Sequence, residues 1–292
     1  MSKIINSYVI DNTNIGDLFS APYQYFEFPG YNFANIDIRN LTANHIQGKH
    51  VIIGGGGLAF SRFLETFKVL SQHRKNHANH QTKLIIWGIG QQIYRDYSPL
   101  DIKNFDYTPY TEGFDLVGIR DYHYGNWVPC ASCMHPSFDK KREVKHEFVV
   151  FSHKKFQIEF PPFPRMTNCN QNLEEILDFL GSGETILTSS YHGAYWGTLL
   201  GRKVLAFPFT SKFYTLKHLP GIYPVQKWFQ AQFKVSLFGK TLHESFYENK
   251  FICHHPDWKE YLKKSQTYPE SLVENRDRNR DFYEQVMDLL NS

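Results

Sequence analysis

Six short, continuously apolar runs recur at spacings of about thirty residues, and they constrain the fold more than any other feature of the chain. They are His50-Val-Ile-Ile53, Lys83-Leu-Ile-Ile-Trp87, Asp115-Leu-Val-Gly-Ile119, Glu147-Phe-Val-Val-Phe151, Thr185-Ile-Leu-Thr188 and Lys203-Val-Leu-Ala-Phe207. Continuous rather than alternating hydrophobicity predicts strands buried on both faces, as in a parallel sheet. Helical patterns lie between them. Phe60, Phe63, Leu64, Phe67 and Leu70 share one helix face, as do Leu173, Ile176, Leu177 and Leu180. Asn172 with Glu175 predicts a capped start for the second helix, and Gly181 its stop. This alternation predicts an α/β chain, its parallel sheets covered by helices. The polar stretch Ser137-Phe-Asp-Lys-Lys-Arg142 reads as a linker. It gives Rossmann-like domains at 1–140 and 141–255, then a tail at 256–292 whose closing helix has Phe282, Val286, Leu289 and Leu290 on its apolar side.

At 292 residues the chain can bury a substantial core. No run reaches the roughly 18 apolar residues that cross a bilayer. The start Met1-Ser-Lys-Ile-Ile-Asn lacks the apolar segment of a signal peptide, and four scattered cysteines fit a reducing compartment. A cytoplasmic protein is the expectation. The net charge of +3 does not indicate a nucleic-acid binder, because the positive charge is concentrated in one place. From Thr185 to His243 there is no aspartate or glutamate, while Arg202, Lys203, Lys212, Lys217, Lys227, Lys234 and Lys240 all lie there. An anionic ligand is the simplest explanation. The basic, aromatic stretch Leu219 to Lys234 has two readings. It rests on the inner, anionic membrane face, or Trp228, Phe229 and Phe233 are core and the lysines are solvated.

Ligands of parallel α/β sheets bind outside the carboxyl ends of the strands. The turns that follow the runs are therefore the candidate site. They are Gly54-Gly-Gly-Gly57, Gly88-Ile-Gly90-Gln91, Arg120-Asp121 and Ser189-Ser-Tyr-His-Gly193. Glycines allow close backbone approach, and free N–H groups at a helix start favour an anion. Neither a Walker motif nor a dinucleotide fingerprint is present. His192, at a strand-to-helix turn, is the first candidate for proton transfer near neutral pH; His77, His80, His254 and His255 read as surface residues. Cys130-Ala-Ser-Cys133-Met-His135 is half of a zinc pattern without its other half, so a packed loop is expected and no metal.

These turns, with Asn14-Ile-Gly16-Asp17 near the start and Gly201-Arg-Lys-Val204 after the histidine box, resemble the polysaccharide pyruvyl transferases. The match runs from about Asn14 to Pro208; each element is loose, and their order and spacing carry the resemblance. One departure stands out. Where the family has Arg-Leu before the box histidine, this chain has Ser190-Tyr191. The resemblance implies two Rossmann-like domains facing a cleft, as in GT-B glycosyltransferases, with the acceptor on the first domain and the donor on the second. It implies transfer of the pyruvyl group of phosphoenolpyruvate onto two hydroxyls of a sugar, lipid-linked in many such systems, to give a cyclic ketal in capsule, exopolysaccharide or cell-wall synthesis. No cofactor is implied. The catalytic candidates are His192, Asp17 and Asp121, although Asp17 also reads as a helix cap. Substrate-binding candidates are Asn14, Gly16, Gly55, Gly56, Gly88, Gly90, Gln91, Arg120, Ser189, Ser190, Tyr191, Gly193 and Lys212, with Arg120, Arg202, Lys203 or Lys212 standing in for the absent arginine. The alternatives are a glycosyltransferase with a nucleotide-sugar donor, and a catalytically silent glycan-binding protein of an assembly complex.

Overall fold

A computed structural model describes residues 2–76, 82–94, 97–237 and 240–292; His77 and His80 fall outside them. The chain divides into two compact units. Unit 1 comprises Met1–Lys140, Thr210–Leu219 and Pro269–Ser292; unit 2 comprises Lys141–Phe209 and Pro220–Tyr268. Two segments thus belong with the first unit although they follow the second in sequence: the strap Thr210–Leu219 and the C-terminal helix Ser271–Asn291.

Unit 1 is built on β1 (Ser2–Tyr8), β2 (Tyr31–Asp37), β3 (His50–Gly54), β4 (Leu84–Ile89) and β5 (Leu116–Ile119), all parallel, in the order β2-β1-β3-β4-β5. Every residue of β3 and β4 is buried, and the pleat assigns alternate side chains to opposite faces. Ile5, Val51, Ile53, Leu84 and Ile86 pack in one cluster with Phe63, Phe67 and Leu70, the last two on the helix Leu64–Asn76. Ile4, Ile52, Ile85 and Trp87 pack on the other side with Phe282, Val286 and Leu290 of the C-terminal helix. The strand runs are continuous because both faces need an apolar partner. The C-terminal helix is anchored further by Asn279, whose Oδ1 accepts from the indole Nε1 of Trp87 at 2.9 Å and whose Nδ2 donates to the carbonyl of Pro129 at 3.2 Å.

Unit 2 holds β6 (His146–Ser152), β7 (Phe156–Gln157), β8 (Arg165–Thr167), β9 (Gly183–Thr188), β10 (Lys203–Ala206), β11 (Gly221–Ile222), β12 (Trp228–Leu237) and β13 (Lys240–Cys253). Five form a second parallel sheet in the order β11-β10-β9-β6-β8. Counted within the sheet, that order repeats the first sheet's: the first strand lies between the second and the third. The helix Leu173–Gly181 buries Leu173, Ile176, Leu177 and Leu180, and Asn172 caps it by accepting from the Glu175 amide. The expected stop at Gly181 falls one residue early, since Gly181 is still helical and Ser182 closes the helix.

Two expectations change. The sequence runs did not reveal β1 and β2, which place the polar Asn6 and Ser7 in the interior, with Asn6 donating to Asn35 across the sheet at 3.2 Å. The basic aromatic stretch before Lys234 contributes to β12, paired antiparallel with β13, which in turn pairs with β7. Among the described residues, no helix is long and apolar enough to cross a membrane.

Candidate functional site

In unit 1 the chain reverses direction across the sheet between β1 and β3, which is where a doubly wound sheet opens a crevice at its carboxyl edge. Asn14, Gly16 and Asp17 follow β1, and Asn14 Nδ2 donates to Asp17 Oδ2 at 2.6 Å. Gly54–Gly57 follows β3. A side chain at Gly56 would stand 3.8 Å from Asp17 Oδ1, so the two loops meet. Gly55 has φ +69° and its missing Cβ would lie 2.4 Å from Ser20 Oγ, so its glycine is demanded by backbone conformation and by Ser20. Gly88 likewise abuts the Val128 and Pro129 carbonyls.

Gly90 and Gln91 follow β4, and Arg120 and Asp121 follow β5. Both charged residues are buried, at 3% and 1% exposure, with Arg120 Nε 3.6 Å from Asp121 Oδ1. Asp121 is taken up by donors: the Gln91 amide at 2.5 Å, the Tyr107 hydroxyl, and Thr215 Oγ1 at 2.6 Å. A carboxylate so occupied is a positioning group for the loops after β4 and β5. Arg120 lies flat against Gly90, where a Cβ would come within 2.5 Å of Nη2. Gly90→Ala is accordingly expected to displace the guanidinium from its place beside Asp121 and to lower the melting temperature; a melting curve beside that of the unaltered protein checks it.

The strap delivers the remaining cation. Ser211 N donates to the Ile93 carbonyl and Ile93 N to Ser211 Oγ, each at 3.0 Å, and Thr215 bonds Asp121. Lys212, between these anchors, lies within electrostatic reach of Asp17 and Arg120. Burial pushes its ammonium down to about 8; Asp17 opposes that shift and Arg120 adds to it. Arg120, Lys212 and Asp17 therefore act on one another electrostatically, and Arg120 and Asp17 both follow strands of the first sheet at its carboxyl edge.

In unit 2 the equivalent reversal lies between β6 and β9. The His153 amide donates to Ser189 Oγ at 3.0 Å, and Ser189 donates on to the Phe156 carbonyl. Next to them the Lys154 amide donates to Asn168 Oδ1 at 2.7 Å. Ser190 caps the helix Tyr191–Leu199, accepting from the Gly193 amide at 3.4 Å. The helix is buried throughout, and it can sit this close to the sheet because a Cβ at Gly193 would meet Phe151 at 2.5 Å. Tyr191 stacks with Tyr195. His192 is 6% exposed, with its ring centroid 4.9 Å from that of Trp196 and 5.3 Å from that of Tyr191. Ser189, Ser190 and Gly193 thus hold the turn in shape, and His192 starts the helix they support.

The cation-rich stretch is less unbalanced than its composition implies, because its partners come from elsewhere in the sequence. Arg202 Nη2 donates to the carbonyls of Arg142 and Gly181 at 2.7 and 2.6 Å, Lys203 pairs with Glu184 at 3.1 Å, and Lys217 pairs with Glu274. The reasoning from sequence passed over Tyr107 and Thr215, which clasp Asp121, and His153, Lys154 and Asn168; the last three follow β6 and β8 directly, so position at a strand end was their signal. His254 is exposed, whereas His255 is half-buried and stacks on Phe160 at 3.9 Å. Cys130 and Cys133 are buried, burial pushes the Cys130 thiol up, and Cys133 Sγ lies 3.4 Å from Asn279 Nδ2. Among the described residues, no group of three His, Cys, Asp or Glu is arranged to hold a metal.

No protein-family model matches this chain, and no curated protein matches it. A crystal structure of a functionally uncharacterised protein from Klebsiella pneumoniae is similar over 71% of this chain and 84% of that one, at 16% identity and a TM-score of 0.37.

Proposed function

We propose that this chain is a pyruvyl transferase that moves the pyruvyl group of phosphoenolpyruvate onto two hydroxyls of a sugar, with its two units acting as the halves of a GT-B-like cleft. The observation that carries this reading is the buried Arg120 guanidinium at the carboxyl edge of the first sheet, lying against Gly90 and beside Asp121, with Lys212 in electrostatic reach of it and of Asp17. Phosphoenolpyruvate has a phosphate and a carboxylate, and two cations in a desolvated setting suit such an anion. Further support comes from the histidine box at the equivalent edge of the second sheet, where a buried helix starts at His192.

In this mechanism His192 delivers a proton to the methylene carbon of the donor, turning CH2 into CH3 and leaving oxocarbenium character at the adjacent carbon. One sugar hydroxyl adds there, and Asp17 is the carboxylate that takes its proton. The C–O bond to phosphate then breaks, and a second hydroxyl closes the ketal. The two hydroxyl protons end on the new methyl group and on inorganic phosphate, so the products are the ketal and phosphate. Arg120 and Lys212 hold the donor anion throughout, and Asp121 keeps Arg120 in place.

The test is a thermal-shift titration with phosphoenolpyruvate, run beside UDP- and GDP-sugars. A ligand of the folded state adds about 2.7 kcal/mol at a hundredfold excess over its dissociation constant. Stabilisation by phosphoenolpyruvate, and phosphate release on adding a sugar acceptor that His192→Ala abolishes without losing donor binding, is the expected result. Stabilisation by a nucleotide sugar alone overturns this reading in favour of glycosyl transfer.

A further inference from the structure

Unit 1 contains a pocket of about 790 Å³ that none of the residues assigned above explains. Its walls include Tyr97, Tyr122, Tyr124, Tyr214 and Leu219, with Lys103 at its edge. The volume is that of a small-molecule site. Tyr214 and Leu219 are 38% and 44% exposed, an apolar investment in a concave surface rather than in the core. The Tyr97 and Tyr214 rings meet edge to face at 6.0 Å and 71°, which fixes both planes. Lys217 also reaches this pocket, but its charge is committed: it pairs with Glu274 and lies over the rings of Tyr122 and Trp127, at 5.3 and 4.9 Å.

We propose that this pocket binds an uncharged glycosyl unit, and specifically a sugar ring of the acceptor. Flat tyrosine faces offer an apolar surface to the C–H face of a pyranose; the hydroxyls themselves are engaged, Tyr97 with Tyr214 and Tyr124 with the Ile102 carbonyl. A nucleoside diphosphate needs cations and backbone N–H donors around its phosphates. Here the lining offers Lys103 and the imidazole of His123, since Lys217 is engaged by Glu274, and that is sparse for a diphosphate. The strap supplies the link to chemistry. It carries Lys212, which feels the charges of Asp17 and Arg120, and two residues later, within the 3-10 turn Ser211–Tyr214, it carries Tyr214 into the pocket wall. Thr215, bonded to Asp121 and accepting from the Tyr122 amide at 2.8 Å, fixes the strap between the two places. A sugar against Tyr214 thus shares one short turn of chain with Lys212. The word acceptor rests on the transferase reading; the sugar site does not.

Saturation-transfer NMR without phosphoenolpyruvate tests it, using methyl β-D-galactopyranoside, methyl β-D-glucopyranoside, methyl α-D-mannopyranoside, N-acetylglucosamine and UDP as probes. At least one sugar should receive saturation from the unaltered protein and from Lys212→Met. That signal should disappear in Tyr97→Ala and Tyr214→Ala and persist in Tyr214→Phe, each variant being checked for an unchanged melting curve. Leu219→Lys, at an exposed position, provides a second blocking variant should Tyr214→Ala not fold. Transfer to none of the sugars, transfer that both alanine variants retain, or transfer to UDP that they abolish would overturn the proposal. If a sugar binds here and phosphoenolpyruvate never binds the protein, the pocket stands and the pyruvyl transfer reading fails.

Discussion

In Lys212→Met, phosphoenolpyruvate affinity is expected to fall by about ten- to a hundredfold, the size of one charge-assisted contact. The unaltered protein should also show a pH dependence that the variant lacks. With the ammonium held down to about 8, donor affinity is level below that pH and weakens roughly tenfold per unit above it. A bound anion raises the lysine again by linkage, so the decline ends where the liganded lysine titrates. Stability moves the opposite way. The folded-state value lies below that of an ordinary lysine, about 10.4. Between these two values the unfolded chain therefore binds more protons, and stability rises with pH. Below about 8 the folded protein bears the full cost of a buried charge. Methionine removes that cost, so Lys212→Met should lose binding, lose the rise in stability above pH 8, and melt within a few degrees of the parent at pH 7. Isothermal titration from pH 6 to 10 with parallel urea melts reads all three. A variant that loses binding and folding together would mean that Lys212 serves only the fold.

The second large effect is expected at Asp121. Its carboxylate accepts from the Gln91 amide, Tyr107 and Thr215 and stands beside the buried Arg120 guanidinium. Asp121→Ala leaves a buried cation without that neighbour and removes the acceptor that Gln91, Tyr107 and Thr215 share, and removing one member of such a buried pair costs about 3–5 kcal/mol. Asp121→Asn keeps the shape and should cost less. Because two units unfold, a single global transition is not the right measure. Hydrogen exchange at the Gln91 amide reports the site itself, and its protection should collapse in Asp121→Ala. A loss below 1 kcal/mol, with Gln91 protected as before, would show that the carboxylate is not what holds these loops.

Both predictions depend on residues whose roles differ from what their neighbours in sequence imply. Arg120-Asp121 is readable as a pair after a strand, and the structure makes one an anion ligand candidate and the other its support. The glycines are readable as tight turns, but sequence does not say what crowds them: Ser20 at Gly55 and the Arg120 guanidinium at Gly90. The seven-cation stretch overstated its charge because Glu274, Glu184 and two carbonyls reach it from other parts of the chain. Ser190 stands where the pyruvyl transferases that the sequence resembles have arginine, and its hydroxyl caps the helix Tyr191–Leu199.

Sequence alone determined the α/β class, the central strands β3, β4, β5, β6, β9 and β10, and the covering helices, because burial on both faces writes continuous apolar runs and burial on one face writes a helical stripe. Strands whose residues mix polar and apolar, such as β1 with its buried Asn6 and Ser7, leave no such trace. Only the tertiary structure decided that the strap Thr210–Leu219 and the helix Ser271–Asn291 return to the first unit. Those returns put Lys212 within electrostatic reach of Asp17 and Arg120, Thr215 on Asp121, and Tyr214 in the tyrosine pocket. The reason is physical: local pattern records which face of an element must be covered, and the partner that covers it is chosen by packing and charge across long separations in the chain.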